Sequence, residues 1–160
     1  MANNANVMNG SDLCLFITSG ATTRCIALAS SCKISITMGT RKVASKDSGN
    51  SEESLPTRYN WTCDSDSLFT QDYSGANQSA TTTASGFTYD SLLDIMLQRI
   101  PITTTFGLVA NPGTGWLQTL GTGRQIAGKA YITKLDLNSK DNDNVTYTVA
   151  LEGTSTLTHA

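Results

Sequence analysis

Apolar residues alternate with polar ones over most of this chain, and in one place they recur at helical spacing. Residues 13–18 form a short apolar run, closed by the turn Ser19-Gly20. Residues 24–29 and 32–38 are two further strand candidates. In the second, Ile34, Ile36 and Met38 share one face and Lys33, Ser35 and Thr37 the other. That period of two predicts a half-buried strand. Residues 59–68 alternate again, with Tyr59, Trp61 and Cys63 opposite Asn60, Thr62 and Asp64. Residues 102–109, 130–138 and 145–152 complete the strand set. The last two are joined by a polar loop and predict a β-hairpin.

Helical spacing is confined to residues 89–97. Tyr89, Leu92, Leu93, Met96 and Leu97 fall on one stripe. Thr88 can cap its start, Asp90 and Arg99 complement the helix dipole, and Pro101 blocks continuation. Such a stripe needs a sheet to bury it. About seven antiparallel strands and one helix predict a mainly β fold, an antiparallel β-sandwich or partly open barrel with one flanking α-helix. The expected organisation is an N-terminal arm over residues 1–12, one domain over 13–152 with a long loop at 39–58, and a polar tail over 153–160.

Composition narrows the function. The 160 residues include 24 Thr, 17 Ser and 11 Asn, while only 15% are charged, with a net charge of −2. Neither a basic surplus nor a basic cluster is present, which argues against nucleic-acid binding. No apolar window is long enough for a membrane-spanning helix. Residues 1–6 show neither the basic nor the apolar part of a secretory signal. Cys14, Cys25, Cys32 and Cys63 form no C-x-x-C pair, and His159 is the only histidine. A zinc site is therefore not expected, and reduced thiols, three of them in apolar strand-like runs, are.

Catalytic equipment is sparse. A nucleophile needs a base within reach, and the one histidine lies in the tail. Asp64 and Asp66 share a strand face and could be read as paired carboxylates, or as a solvated strand. Asp141-Asn142-Asp143-Asn144 resembles the start of a calcium loop but lacks the following glycine and the closing glutamate. Trp61 reads as core, whereas Trp116 stands in a loop and could serve a carbohydrate-binding face. No metal, cofactor or catalytic residue is expected. The core anchors expected from the patterning are Trp61, Leu92, Leu93 and Met96.

Several segments together resemble the tail tube (major tail) protein family of long-tailed bacteriophages. They are Ser45-Lys46-Asp47-Ser48-Gly49, Glu53-Ser54-Leu55-Pro56 with Trp61, the early strand pair over 27–36, the helix over 89–97, Gly128-Lys129-Ala130-Tyr131-Ile132, and Asp143-Asn144-Val145-Thr146-Tyr147 running to Gly153. The chain departs from the family pattern at Asn50-Ser51, at Thr57 and at Gly153-Thr154-Ser155. The resemblance implies a non-enzymatic structural subunit, a sandwich of two sheets flanked by one helix. Such subunits close hexameric rings, and the rings stack into a tube through which DNA passes without specific binding. It further implies tail partners (terminator, tape measure, distal tail protein and, in a contractile tail, a sheath), assembly in the host cytoplasm, a place in the virion tail, and no membrane. By position, residues 39–58 would make ring-to-ring contacts, with Arg41, Lys42, Lys46, Asp47, Glu52, Glu53 and Arg58 setting register by mixed charge. A tube of a related contractile injection or secretion system, a carbohydrate-binding β-sandwich adhesin and a small carboxylate hydrolase are the competing readings.

Overall fold

The computed structural model describes residues 10–26, 28–44, 46, 49, 51–69, 87–110 and 119–160. A single 3-10 turn, Gly10–Asp12, leads into β1 (Leu13–Ser19) and β2 (Thr22–Cys25). The long strands β3 (Ala29–Val43) and β4 (Glu53–Leu68) follow. Then come α1 (Tyr89–Gln98), β5 (Ile102–Val109), β6 (Leu120–Asn138), β7 (Thr146–Gly153) and the short β8 (Thr158–His159). The strands make one antiparallel sheet in the order β2-β1-β5-β6-β7-β4-β3, and β8 adds to β6.

Strand β6 is long enough to serve two neighbours. Its first half pairs with β5 up to Ile102↔Ala130, and its second half pairs with β7 from Ala130↔Gly153 to Asn138↔Thr146. The sheet folds over so that its two halves face each other across the core. Leu15, Ile17 and Ile102 from one half meet Trp61, Cys63, Tyr147, Val149 and Leu151 from the other. Burial of these apolar side chains is the main term holding the fold. The fold is therefore mainly β with a flanking helix.

Helix α1 covers the core, though not with the stripe expected from spacing. Leu92 and Ile95 are the buried residues, and Met96 packs against the cluster from a partly buried position. Leu93 is only half-buried, and Leu97 is 70% exposed. The helix touches the sheet along one narrow line, so a face rotated slightly from the hydropathy maximum is the one covered. Thr88 occupies the N-cap, but its hydroxyl lies 3.3 Å from that of Ser91 and bonds no helix N–H. Arg99 lies one residue past the helix in the left-handed region, φ 56°, with its N–H on the Met96 carbonyl. That cap turns the chain toward β5.

Two expectations are corrected. Residues 39–58 are not a loop: 39–43 belong to β3 and 53–58 to β4, with only a short connection between them. Nor is the C-terminal segment a loose tail. Its β8 pairs with β6 through Ile126↔His159 and Ala127↔Thr158. Ser155 accepts a hydrogen bond from the Trp61 indole N–H at 2.8 Å, and the Leu157 N–H donates to the Tyr59 hydroxyl at 3.1 Å. Of residues 1–12, the described portion is the 3-10 turn, and residues 1–9 lie outside the described set.

Candidate assembly surface

Among the described residues, the distal half of the β3–β4 hairpin extends past the rest of the sheet. Register runs unbroken from Cys32↔Ser65 to Met38↔Tyr59, slips at a bulge where Thr57 and Arg58 oppose Gly39, and resumes from Thr40↔Pro56 to Val43↔Glu53. Strand β7 joins β4 only from Thr62 onward, at Thr62↔Glu152. Among the described residues, the two strands beyond that point have no third strand beside them, and every residue from 51 to 60 is exposed. At about 3.3 Å per residue the arm reaches roughly 25 Å from Trp61.

The charged residues read from the sequence spread over this arm and do not converge on one point. Lys42 pairs with Glu52, both well exposed. Arg41 and Glu53 lie on the opposite face of the hairpin from Lys42, and Arg58 sits in the bulge. Lys46 is in the connection, and Asp47 lies outside the described residues. The arm also carries apolar residues that the charge pattern hides: Ile36 is 52% exposed, Met38 56%, Leu55 46% and Tyr59 37%. Ile36, Met38 and Tyr59 share one face, whereas the bulge puts Leu55 opposite Arg41 on the other, and the two-residue period, their only sequence signal, does not say what covers either face.

A second surface is the polar side of the four-strand region β3-β4-β7-β6. Cross-strand register aligns Ser35 with Thr62 and Glu152, Lys33 with Asp64 and Ala150, and Asp66 with Thr148. Lys134 and Asp136 extend the same face on β6 and form an ion pair at 2.9 Å, which lifts the Lys134 ammonium above its usual range. Asp66 accepts from Ser31 at 3.0 Å and from Thr148 at 2.8 Å. Three amines, Lys33, Lys129 and Lys134, thus stand among four carboxylates, Asp64, Asp66, Asp136 and Glu152, on a ground of hydroxyls. The pair Asp64 and Asp66 is part of this solvated face.

Both margins of that region carry open backbone. Among the described residues, no strand pairs with the outer side of β3, nor with residues 131–138 of β6 on the side that β5 has left. Unpaired sheet margins invite pairing with another chain.

Trp61 fixes the base of the arm. Its ring lies flat on Gly153 and Gly128. A Cβ added at Gly128 would stand 2.6 Å from the indole Cζ2, and one at Gly153 would overlap the ring more severely.

Nothing in the described residues amounts to a reaction centre or a metal cluster. The Asp141–Asn144 loop is a turn with Asn142 at φ 60° and the Asn144 N–H on the Asp143 carboxylate. None of the four cysteines is in a disulfide. Burial pushes Cys14 up to about 11 and Cys63 up to about 12, which makes poor nucleophiles of both. Trp116 lies outside the described residues. No helix is long and apolar enough to cross a membrane among the described residues.

Comparison with solved structures decides the fold. A chain from the tail of an empty gene transfer agent particle, solved with C6 symmetry, superposes with a TM-score of 0.68 at 19% identity, covering 96% of this chain and 99% of that one. A chain of the native gene transfer agent virion gives 0.67 at 18% identity, with the same coverage. The SPP1 tail tube gives 0.65 at 10%, covering 96% and 78%. This is the tail tube fold. A chain of the six-fold anti-feeding prophage baseplate shares it more distantly, with a TM-score of 0.58 at 10% identity over 100% and 97% of the two chains. No family model and no curated protein matches the sequence.

Proposed function

We propose that this chain is a structural, non-enzymatic subunit of a phage-type tail tube. Six copies close a ring, rings stack, and DNA passes through the bore from capsid to host. The observation that carries this reading is a four-strand sheet open at both margins, with a hydroxyl-rich, acid-leaning face, in a chain that shares its fold with a component of a C6 tail. Heterologous margins generate a closed ring when the rotation between copies closes. Strands β6, β7, β4 and β3 alternate in direction, so β3 of one copy beside residues 131–138 of the next continues the antiparallel order. The polar face then lines the bore. Each amine at a phosphate adds affinity by releasing counterions, and a wall where carboxylates outnumber amines lets DNA slide.

In this reading the arm tip, with Arg41, Lys42, Lys46, Asp47, Glu52, Glu53 and Arg58, contacts the adjacent ring. The chain assembles in the host cytoplasm and resides in the virion tail beside terminator, tape measure, distal tail and, where present, sheath proteins. The likeness to the anti-feeding prophage baseplate chain supports a second reading, the tube of a contractile injection system. Recovery of DNA-filled particles from a producing strain supports the first, and headless particles the second.

Negative-stain microscopy of the purified protein at high concentration tests the proposal. Rings or hollow tubes are expected, and strictly monomeric particles at every concentration overturn it. Deleting residues 45–53 should leave a folded monomer that no longer polymerises. Unchanged tubes from that variant would refute the arm's role.

A further inference from the structure

We infer that the apolar side of the arm's base docks into a groove under the helix C-terminus of a second copy of this chain. The inference rests on the tube reading above and adds the side chains that join neighbours.

Ile34, Ile36 and Met38 face the same side as their cross-strand partners Cys63, Trp61 and Tyr59, which is the core side. Ile34 packs against the core, whereas Ile36 and Met38 run past it and stay more than half exposed. Among the described residues they form a core-type face that is left half open. The matching hollow lies between the end of α1 and β6. Ile95, Met96, Arg99, Ile100, Tyr131 and Ile132 line it, and its volume is about 400 Å³, room for several aliphatic side chains. Its rim is apolar and open, with Ile100 44% and Tyr131 39% exposed.

Position ties the two features together. The groove adjoins the β6 margin at residues 131–138 that no described strand pairs. It lies on the side of Ile132, which belongs to the core face. When β3 of a neighbour is laid along that margin, sheet geometry keeps core-facing side chains on one side. Ile36 and Met38 therefore arrive over the groove, and Ser35 and Thr37 over the polar face. Charge agrees with the same partner. Arg58 in the bulge of the arm, and Asp90 and Asp94 on the exposed helix surface, are in no ion pair among the described residues. The helix surface thus offers two carboxylates beside the single cation Arg99. A second copy supplies both halves of the contact, and the contact is heterologous, as ring closure needs.

The test places a photo-reactive amino acid at position 38 of the full chain and irradiates assembled rings or tubes. Cross-links to peptides containing residues 95–100 or 131–132 of another copy are expected, and cross-links confined to other surfaces overturn the inference. Ile36→Lys with Met38→Lys should raise the concentration needed for assembly about tenfold or more, with an unchanged thermal midpoint of the monomer. Ile100→Glu should do the same, and combining it with Met38→Lys should recover part of the loss. Unmodified assembly by the lysine variant overturns the docking while leaving the tube reading intact. Failure of the unmodified chain to form rings at any concentration removes both.

Discussion

The two halves of the β3–β4 hairpin obey one pairing pattern and meet opposite fates. In the inner half of β4, Trp61, Cys63, Ser65 and Ser67 are each at most 2% exposed. In the outer half, residues 51–60 are exposed on both faces. The strand is continuous and so, apart from one bulge, is its register with β3. What differs is company: β7 on the flank and the core beneath serve the inner half alone. Alternation along a strand sets which side chains share a face, while burial depends on what lies over that face. An isolated two-stranded ribbon is marginal in water, so the outer half of the monomer depends on its anchorage at Trp61.

Substitutions should divide along the same line. The largest effect is expected at the junction. Gly153→Val places branched carbons inside the Trp61 ring, and we expect failure to fold, read as loss of the cooperative thermal transition. Trp61→Ala opens a cavity and strands the Ser155 carbonyl, with an expected loss of about 3–5 kcal/mol in urea denaturation. Alkali probes the inner half more gently. Burial raises Cys63, Cys14 and Tyr147, so their protonated forms belong to the folded state. Their contribution is complete below about pH 9, the ordinary thiol value, and is lost as pH climbs toward 11 and 12. Denaturation midpoints should hold from pH 7 to 9 and fall above it, and a Cys14→Ala, Cys63→Ala chain should fall less. Tyr59→Phe removes one tie between the arm's base and the C-terminal segment, for about 0.5–1.5 kcal/mol. Smallest of all, Lys42→Ala should shift monomer stability by less than about 0.5 kcal/mol, because an exposed ion pair contributes little. An outer-half substitution as damaging to the monomer as Trp61→Ala would break the division.

The helix was legible because Pro101 and a five-residue stripe act locally. The closing hairpin was legible because Tyr147, Val149 and Leu151 alternate without interruption. The arm read as a loop because Gly39, Gly49 and Pro56 stand among charges. Pro56, however, lies where β4 pairs on one side only, so its missing N–H can face solvent. The first half of β6 was hidden in the same way. Gly121 and Gly123 look like turn residues, yet a Cβ at Gly123 would stand 2.6 Å from Leu108, so that glycine serves close packing. Of the candidate site, residue types were readable from the chain. Which of them share a surface depended on register across four strands, and the groove at Ile100 and Tyr131 arises from elements that pairing alone brings together.

The state of the sulfur atoms has one more consequence. Cys25 and Cys63 are buried, Cys14 and Cys32 half-buried, and none is bonded to another. The high values of Cys14 and Cys63 leave almost no thiolate at neutral pH, which slows both oxidation and exchange. The described fold is held without a disulfide, so a change from reducing to oxidising surroundings should leave its bonds as they were.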